Sequence, residues 1–406
     1  MPFTFPNSKV FCPFCFHEFH IGHAPFRDYS DNHKEKDPVQ AAFFDRRVEE
    51  HPDNYPVKEI QGFWHKLIGY FYYSRSLDKK RRICPHCHMT LPNTLANSGK
   101  QGNVIAVIGY RNSGKGNFFG VLIPSLRTRY AKEISLSLEA LDSYNTDGKM
   151  ANSDTLYRER YGDNLEQMMA VPPTPKISLS PMLYCLKLDK FTIWQRILNP
   201  FSHHRPVDLI LFDAAGEGFA EAEIQIHSSY ISHASGIIIL LDPTSYKLRG
   251  MRNTINQSEY FDTFATITNA MARYNPHYRK DKQVKTPLAV VISKFDELRP
   301  DGQPLEGLHE SVFYDHCHAQ GFNKKAVDET SEHLYDFLDK REIKDVLANL
   351  KQYSNWKLFG MASLGHPPVG HPPDANLQSI DPINIADPLL WILYELGHIA
   401  AKKEKK

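Results

Sequence analysis

The sequence predicts an α/β chain: a three-layer domain on a mainly parallel sheet, preceded by a small metal-binding module. Three observations predict it. Continuously apolar runs recur at residues 104–108, 209–212 and 236–241 and in "PLAVVI" before Ser293; runs without polar alternation fit strands buried on both faces, as parallel sheets require. The stretch "GYRNSGKGN" follows the first run and leads into an apolar-periodic segment near Lys115. Ahead of both, Cys12/Cys15 and Cys84/Cys87 form two CxxC pairs.

Composition narrows the class. Lys and Arg number 48 against 47 Asp and Glu, a net charge of +1, so no global field recruits nucleic acid or an anionic membrane. The amino-terminal "MPFTFPNSKVF" lacks the basic start, apolar stretch and small-residue cleavage site of a secretory leader. Apolar runs stop far short of the roughly 20 residues that cross a bilayer. A cytoplasmic protein is expected, with two units: residues 1–100 around the cysteines and residues 101–406 around the phosphate-loop stretch.

The cysteine pairs sit in like settings, "FCPFCFHEF" and "ICPHCHMTL". Where thiols stay reduced, such knuckles bind metal before they form disulfides, and four thiolates close a tetrahedral structural zinc site. Cys12, Cys15, Cys84 and Cys87 are the expected zinc ligands. His17, His20, His23, His86 and His88 lie close in sequence and are the alternative donors. The insert between the pairs contains a helical pattern at residues 60–73, with Trp64, Leu67, Ile68 and Phe71 on one stripe; core packing is the simpler role, a partner-docking or membrane face the other. The run Lys79, Lys80, Arg81, Arg82 suits nucleic acid, or simply a solvated face.

"NVIAVIGYRNSGKGNFFG" reads strand, glycine turn, helix, the context that gives GxxxxGK its meaning. Loop and helix N–H groups cradle phosphate oxygens while a lysine reaches the β- and γ-phosphates. Gly109, Asn112, Ser113, Gly114, Lys115, Gly116 and Asn117 are the expected nucleotide contacts of this P-loop NTPase pattern. "VDLILFDAAGEGF" then offers Asp213 at a strand end for the magnesium shell, and Gly216 whose N–H can sense the γ-phosphate. "PLAVVISKFDEL" ends in Ser293, Lys294 and Asp296; a carboxylate there accepts both guanine donors, which adenine does not present. "LFGMASLGHPP" places Ala362 and Ser363 after a further strand.

Together GYRNSGKG, DAAGEGF, SKFD and GMASLG, in this order, resemble GTPases of the translation-factor-related class. "LILFDAAGEGF" and the late "ADPLLWILYEL" look most like the bacterial double-GTPase families, found in predicted conflict or defence gene clusters. The resemblance covers about residues 103–397. It implies a GTP/GDP switch using Mg²⁺, and it makes Thr174, in "VPPTPKISLSPMLYCLKL", the threonine that coordinates magnesium from the first switch. It puts Glu217 where a water-orienting glutamine often stands; a carboxylate there repels the γ-phosphate, so slow hydrolysis is expected.

One position departs from the pattern. Gly116 stands where a Ser or Thr would give magnesium a hydroxyl ligand, and magnesium readily keeps a water in such a vertex. Asn117 is the nearest polar residue, but one helical step rotates a side chain by about 100°. The expectation is weaker magnesium binding and hydrolysis with nucleotide affinity kept. The alternatives are a pseudo-GTPase scaffold and a zinc-dependent nucleic-acid-binding protein regulated by nucleotide. A protein partner is expected at the zinc module or switch regions. The polar stretch 137–167 reads as a helical, mobile elaboration of the first switch, Cys185 as a core thiol, His203 and His204 as surface, His366 and His371 as part of a stiff Pro-rich loop, and residues 331–350 and 387–402 as helices.

Overall fold

The computed structural model describes residues 9–59, 79–98, 101–109, 113–172, 180–188, 207–213, 231–243, 283–341, 343–370 and 375–402. The cysteine-bearing part contributes β1 (Lys9–Phe11), β2 (Glu18–His20), β3 (Phe26–Asp28), β4 (Val57–Lys58) and β5 (Lys80–Arg82). The larger part contributes β6 (Asn103–Gly109), β7 (Leu136–Ala140), β8 (Asp142–Tyr144), β9 (Met150–Asn152), β10 (Met182–Leu188), β11 (Val207–Asp213), β12 (Gly236–Leu241), β13 (Leu288–Ile292) and β14 (Trp356–Gly360).

Seven strands form one sheet in the order β14-β13-β12-β6-β11-β10-β7. β14, β13, β12, β6 and β11 are parallel, while β10 runs antiparallel to both β11 and β7. β12 and β13 are buried along their full length, which is why their sequences, GIIILL and LAVVI, hold no polar residue.

The two faces separate by alternation. Ile105, Val107, Leu209, Leu211, Ile238, Leu240, Ala289 and Val291 pack against helices Lys115–Ser125 and Asp387–Glu395. Their neighbours Val104, Ala106, Ile108, Ile210, Ile237, Ile239, Val290 and Ile292 join helix Lys324–Lys340 and the apolar residues of the cysteine part in a second core. The result is the expected three-layer α/β fold with a mostly parallel sheet and an amino-terminal four-cysteine cluster. Gly236 marks one tight contact, since a Cβ there would stand 2.3 Å from Ile392 Cγ2.

Residues 137–167 differ from the expected helical elaboration. They give the outer strand β7, whose Leu136 and Leu138 face inward, the β8–β9 hairpin, and only then helical turns from Ser153. The hairpin docks the cysteine part: the Tyr144 hydroxyl accepts the Thr90 N–H at 2.9 Å and donates to Thr90 Oγ1 at 3.0 Å. The Tyr144 ring meets Phe14 edge-on at 5.4 Å. The late helix expected at 331–350 begins earlier, at Lys324 under an Asn323 cap, and breaks before Lys344–Leu350. The helical pattern at 60–73 and the pair His203 and His204 lie outside the described residues.

Cys185 is buried, as a core thiol should be, and it faces Asp208 across the β10–β11 pair. Asp208 is a buried carboxyl on the strand that leads to Asp213. Thr94 of helix Asn93–Ser98 donates to its Oδ2, and Oδ1 has no hydrogen-bond partner among the described residues. Burial pushes the Asp208 carboxyl up to about 7, with the Cys185 hydrogen bond opposing. Its folded value therefore lies above the unfolded one, and the folded chain holds the extra proton between them. That stability is full below about pH 4 and is lost as pH rises through about 7. Asp208→Asn should flatten the stability curve across this window and exceed the wild type above pH 7 in denaturant melts; parallel curves for the two proteins would refute the assignment.

Candidate functional site

The four predicted ligands Cys12, Cys15, Cys84 and Cys87 come together with all sulfurs within 4.8 Å of one another. Cys12 Sγ lies 3.6 Å from Cys87 Sγ, and Cys15 Sγ 3.7 Å from Cys84 Sγ. A tetrahedral ion with bonds of about 2.3 Å needs sulfurs about 3.8 Å apart, so the set fits zinc. The two knuckles are built alike. Phe14 N–H donates to Cys12 Sγ at 3.4 Å and His86 N–H to Cys84 Sγ at 3.3 Å. Phe16 and His88, each following its second cysteine, both turn left-handed at φ 57°.

Charge argues the same way. Burial, then the neighbouring thiols, pushes the Cys12 thiol well above its ordinary value, whereas hydrogen bonds from Cys12 and its neighbours push Cys84 down. Four thiolates this close together need a cation.

The histidine alternatives are engaged elsewhere. His17 and His86 are exposed and stack on each other at 4.5 Å, His20 meets His23 edge-on at 5.7 Å, and His88 Nδ1 contacts Asp37 at 2.9 Å. Asp37 caps helix Pro38–Phe43 and pairs with the fully buried Arg27. Burial alone would raise its carboxyl, but the His88 and Gln40 hydrogen bonds and the Arg27 guanidinium hold it well below the usual range. This network ties the insert to the second knuckle.

The basic run is also spoken for. The Arg81 guanidinium pairs with Asp142 at 2.8 Å, Arg82 donates to Ile21 O at 2.6 Å, and Lys80 Nζ stands 4.0 Å from Asp28.

The second cluster sits along one edge of the sheet. β6, β11, β12, β13 and β14 are parallel, so their carboxyl ends share that edge, where open α/β sheets bind ligands. There β6 ends at Gly109, β11 at Asp213, β12 just before Asp242, β13 just before Ser293, and β14 just before Met361, Ala362 and Ser363.

Gly109 admits no side chain, because a Cβ would stand 2.3 Å from Ser113 Oγ. Gly114 adopts φ +83° as the N-cap of helix Lys115–Ser125, a conformation glycine takes without penalty. Lys115 is buried and its Nζ donates to Gly109 O at 2.6 Å. The Ser113 hydroxyl is buried with no hydrogen-bond partner among the described residues. A helix N-terminus, a retained lysine and an orphaned hydroxyl at one spot suit an anion. Asn112, Thr174, Gly216 and Glu217 lie outside the described residues, as does the side chain of Asp213.

Gly116 and Asn117 face a segment of the chain itself. Asn117 Oδ1 accepts the Val171 N–H at 3.1 Å, and a Cβ on Gly116 would stand 2.7 Å from Val171 Cγ1.

Two strands away from β6, Ser293 braces the end of β13. Its N–H and hydroxyl donate to Leu241 O at 2.9 and 3.0 Å. Lys294 Nζ pairs with Asp242 Oδ2 at 2.8 Å. Phe295 N–H donates to Met361 O at 3.1 Å and its ring lies over Gly360, which has no room for a Cβ. These contacts hold the half-buried Asp296 on its turn. Ala362 pairs with Ile383, and Ser363 is largely buried. His366 is an acceptor for the Ser379 N–H at 3.1 Å, a loop brace; His371 lies outside the described residues.

Sequence reasoning missed Asp242. Its signal was present: a lone carboxylate at the end of "GIIILLD", at the same edge as the other motifs. Among the described residues no helix is long and apolar enough to cross a membrane.

The cysteine cluster shares a core with β6, so metal removal should reach the whole fold. The protein is expected to carry one zinc per chain by elemental analysis, to melt at lower temperature after chelation, and to recover on zinc addition. Cys84→Ala should abolish the response; an unchanged melt on chelation would show that the cluster is not a structural metal site.

No protein-family model matches this chain, and no curated protein matches it. Solved structures give distant similarities. A bacterial selenocysteine-specific elongation factor EF-Sec is 14% identical at a TM-score of 0.23, over 65% of this chain and 26% of that one. The signal recognition particle receptor SRb-GTP/SRX complex from Chaetomium thermophilum is 11% identical at 0.28, over 68% and 95%. The S. cerevisiae Ski7 GTPase-like domain bound to GDP and inorganic phosphate is 12% identical at 0.31, over 75% and 51%. The chain thus spans about a quarter of the elongation factor's length, 26%. These likenesses are distant, none above 14% identity or a TM-score of 0.31.

Proposed function

We propose that this chain is a GTP-binding switch with slow Mg²⁺-dependent hydrolysis, built as a zinc-bearing unit over residues 1–100 and a nucleotide-binding unit over residues 101–406. The observation that carries the reading is the convergence of five strand ends on one edge, with Gly109, the buried Ser113 hydroxyl, Gly114 and Lys115 at one of them and a held carboxylate at Asp296.

In this reading Lys115 Nζ leaves Gly109 O for a phosphate oxygen, and Ser113 and the first N–H groups of the helix supply further donors. Asp296 accepts from the guanine ring N–H and exocyclic amino group. Lys294 is held by Asp242 and keeps the turn that carries Asp296 in place. Magnesium, when bound, neutralises charge between the phosphates; Asp213 and Thr174 are the residues to hold it. Gly216 is the γ-phosphate sensor. Glu217, a carboxylate beside the phosphate, keeps unassisted hydrolysis slow.

The cysteine unit supplies a rigid platform for a protein partner. A cytoplasmic location rests on the reduced CxxC pairs, and a role in a bacterial conflict system on the double-GTPase resemblance alone. The scaffold alternative draws on one observation: Val171, not a hydroxyl, faces Gly116. The nucleic-acid alternative loses support where Arg81 and Arg82 are already engaged within the fold.

Equilibrium binding of GTP, GDP and ATP with and without Mg²⁺ tests the reading. Guanine nucleotides should bind in preference to ATP. Asp296→Ala should remove that preference, and Lys115→Ala should weaken all binding roughly 10- to 100-fold, the worth of hydrogen bonds to a charged group. Failure of every nucleotide to bind the wild type would leave the scaffold reading standing.

A further inference from the structure

Residues 168–172 lie between two parts of the larger unit. On one side they meet the helix that follows the phosphate loop. The Val171 N–H donates to Asn117 Oδ1 at 3.1 Å, and Val171 Cγ1 fills the space 2.7 Å from where a Gly116 Cβ would be, with Pro172 O at 3.8 Å. On the other side they pair with residues 375–377. The Ala170 N–H donates to Ala375 O at 2.9 Å, the Leu377 N–H donates to Met168 O at 2.7 Å, and Met169 is bridged to Asn376. Asn376 in turn exchanges both backbone hydrogen bonds with Val369, at 2.8 and 2.9 Å. Val369 follows Ala362 and Ser363 in the same loop, which is closed by the Ala362–Ile383 pair and by the Asp381 N–H donating to Leu364 O at 2.9 Å.

Two independent features single out this contact. A polar side chain on the first turn of the helix is spent on a backbone N–H of a distant segment. The residue beside it has no side chain, and the missing volume is occupied by that same segment. A serine or threonine at 116 would drive its Cβ into a valine methyl at 2.7 Å, closer than side-chain carbons approach.

We propose that Asn117 and Val171 are positioning residues that clamp residues 168–172 onto the phosphate-loop helix and so couple that helix to the 362–383 loop, with glycine at 116 as the space the clamp requires. Gly116 is then selected by packing and is not the vestige of a lost metal ligand. The clamp stands on the geometry alone. Its effect on nucleotide, that the phosphate end and the base end of one ligand are sensed together, rests on the reading given above.

Amide hydrogen exchange on the nucleotide-free protein tests the clamp separately from nucleotide. Asn117→Leu should speed exchange at Val171, Ala170 and Leu377 together by roughly tenfold, the loss of one buried hydrogen bond, and Asn117→Asp, which keeps an acceptor, should restore protection. Gly116→Ala should loosen the same amides, and Val171→Ala added to it should restore them. Loosening confined to Val171, with Leu377 unchanged, would overturn the coupling; a silent Gly116→Ala would overturn the packing account. Release of a fluorescent GDP analogue from the same variants then reads the nucleotide consequence: faster release in Asn117→Leu, rescued in Asn117→Asp, supports it, and equal release refutes it. If exchange behaves as expected but no variant binds the analogue, the clamp stands and the nucleotide reading falls.

Discussion

Strand β6 is paired on both edges and buried on both faces, and most of the molecule can be understood as what that requires. Its backbone is satisfied by β11 and β12, in register from Asn103 to Gly109. Its side chains alternate between two cores, Ile105 and Val107 on one face, Val104, Ala106 and Ile108 on the other. Two faces need two covers. Helices Lys115–Ser125 and Asp387–Glu395 cover the first; helix Lys324–Lys340 and the cysteine part share the second. Because neighbours on both edges are parallel, the strand ends with their polar residues collect on one side. The site is therefore a by-product of burying one strand completely.

The sequence made this arrangement legible wherever a local pattern had one physical meaning. Unbroken apolar runs meant doubly buried strands, and β12 and β13 are such strands. The CxxC pairs implied one shared cluster, and the four sulfurs lie within 4.8 Å of one another. What could not be read was the outcome of long-range competition. Residues 137–167 are polar because one face of β7 and of the β8–β9 hairpin is exposed, and an edge strand of five residues leaves little periodicity to detect. That Tyr144 serves Thr90, 54 positions away, has no local signature. Gly116 is the sharpest case: read along the chain it is a missing ligand, read in space it is room for Val171. Asn117, expected at the nucleotide, is turned toward the same segment.

Polar groups inside the fold divide by how completely they are answered. Asp37 is met by both Arg27 and His88 and caps helix Pro38–Phe43, so this buried carboxylate keeps its charge, although Arg27 Nε has no partner among the described residues. His316 and His318 share the buried Asp387 at 2.6 and 2.8 Å, and each histidine's other nitrogen has its own contact, with Thr330 Oγ1 or the Asn323 N–H. Asp208 is answered on one oxygen only, and burial keeps its proton on into the neutral range. The contrast separates carboxylates that organise the fold from one that the fold merely tolerates.

The cysteine cluster belongs in the same account as β6. Cys12, Phe14 and Cys84 lie in one apolar core with Val104, Ala106 and Ile210, and His233, just before β12, is gripped by Phe11 at 4.7 Å between ring centres. Four thiols in contact resist becoming four thiolates without a cation, so closing the knuckles and binding metal are one event. Whatever binds the folded form and not the unfolded stabilises the folded form by mass action. Here the folded form includes the face of β6, the strand that ends at Gly109, that packs on the cysteine part. The affinity of the cluster for a metal and the integrity of that strand end would therefore draw on a single folding equilibrium.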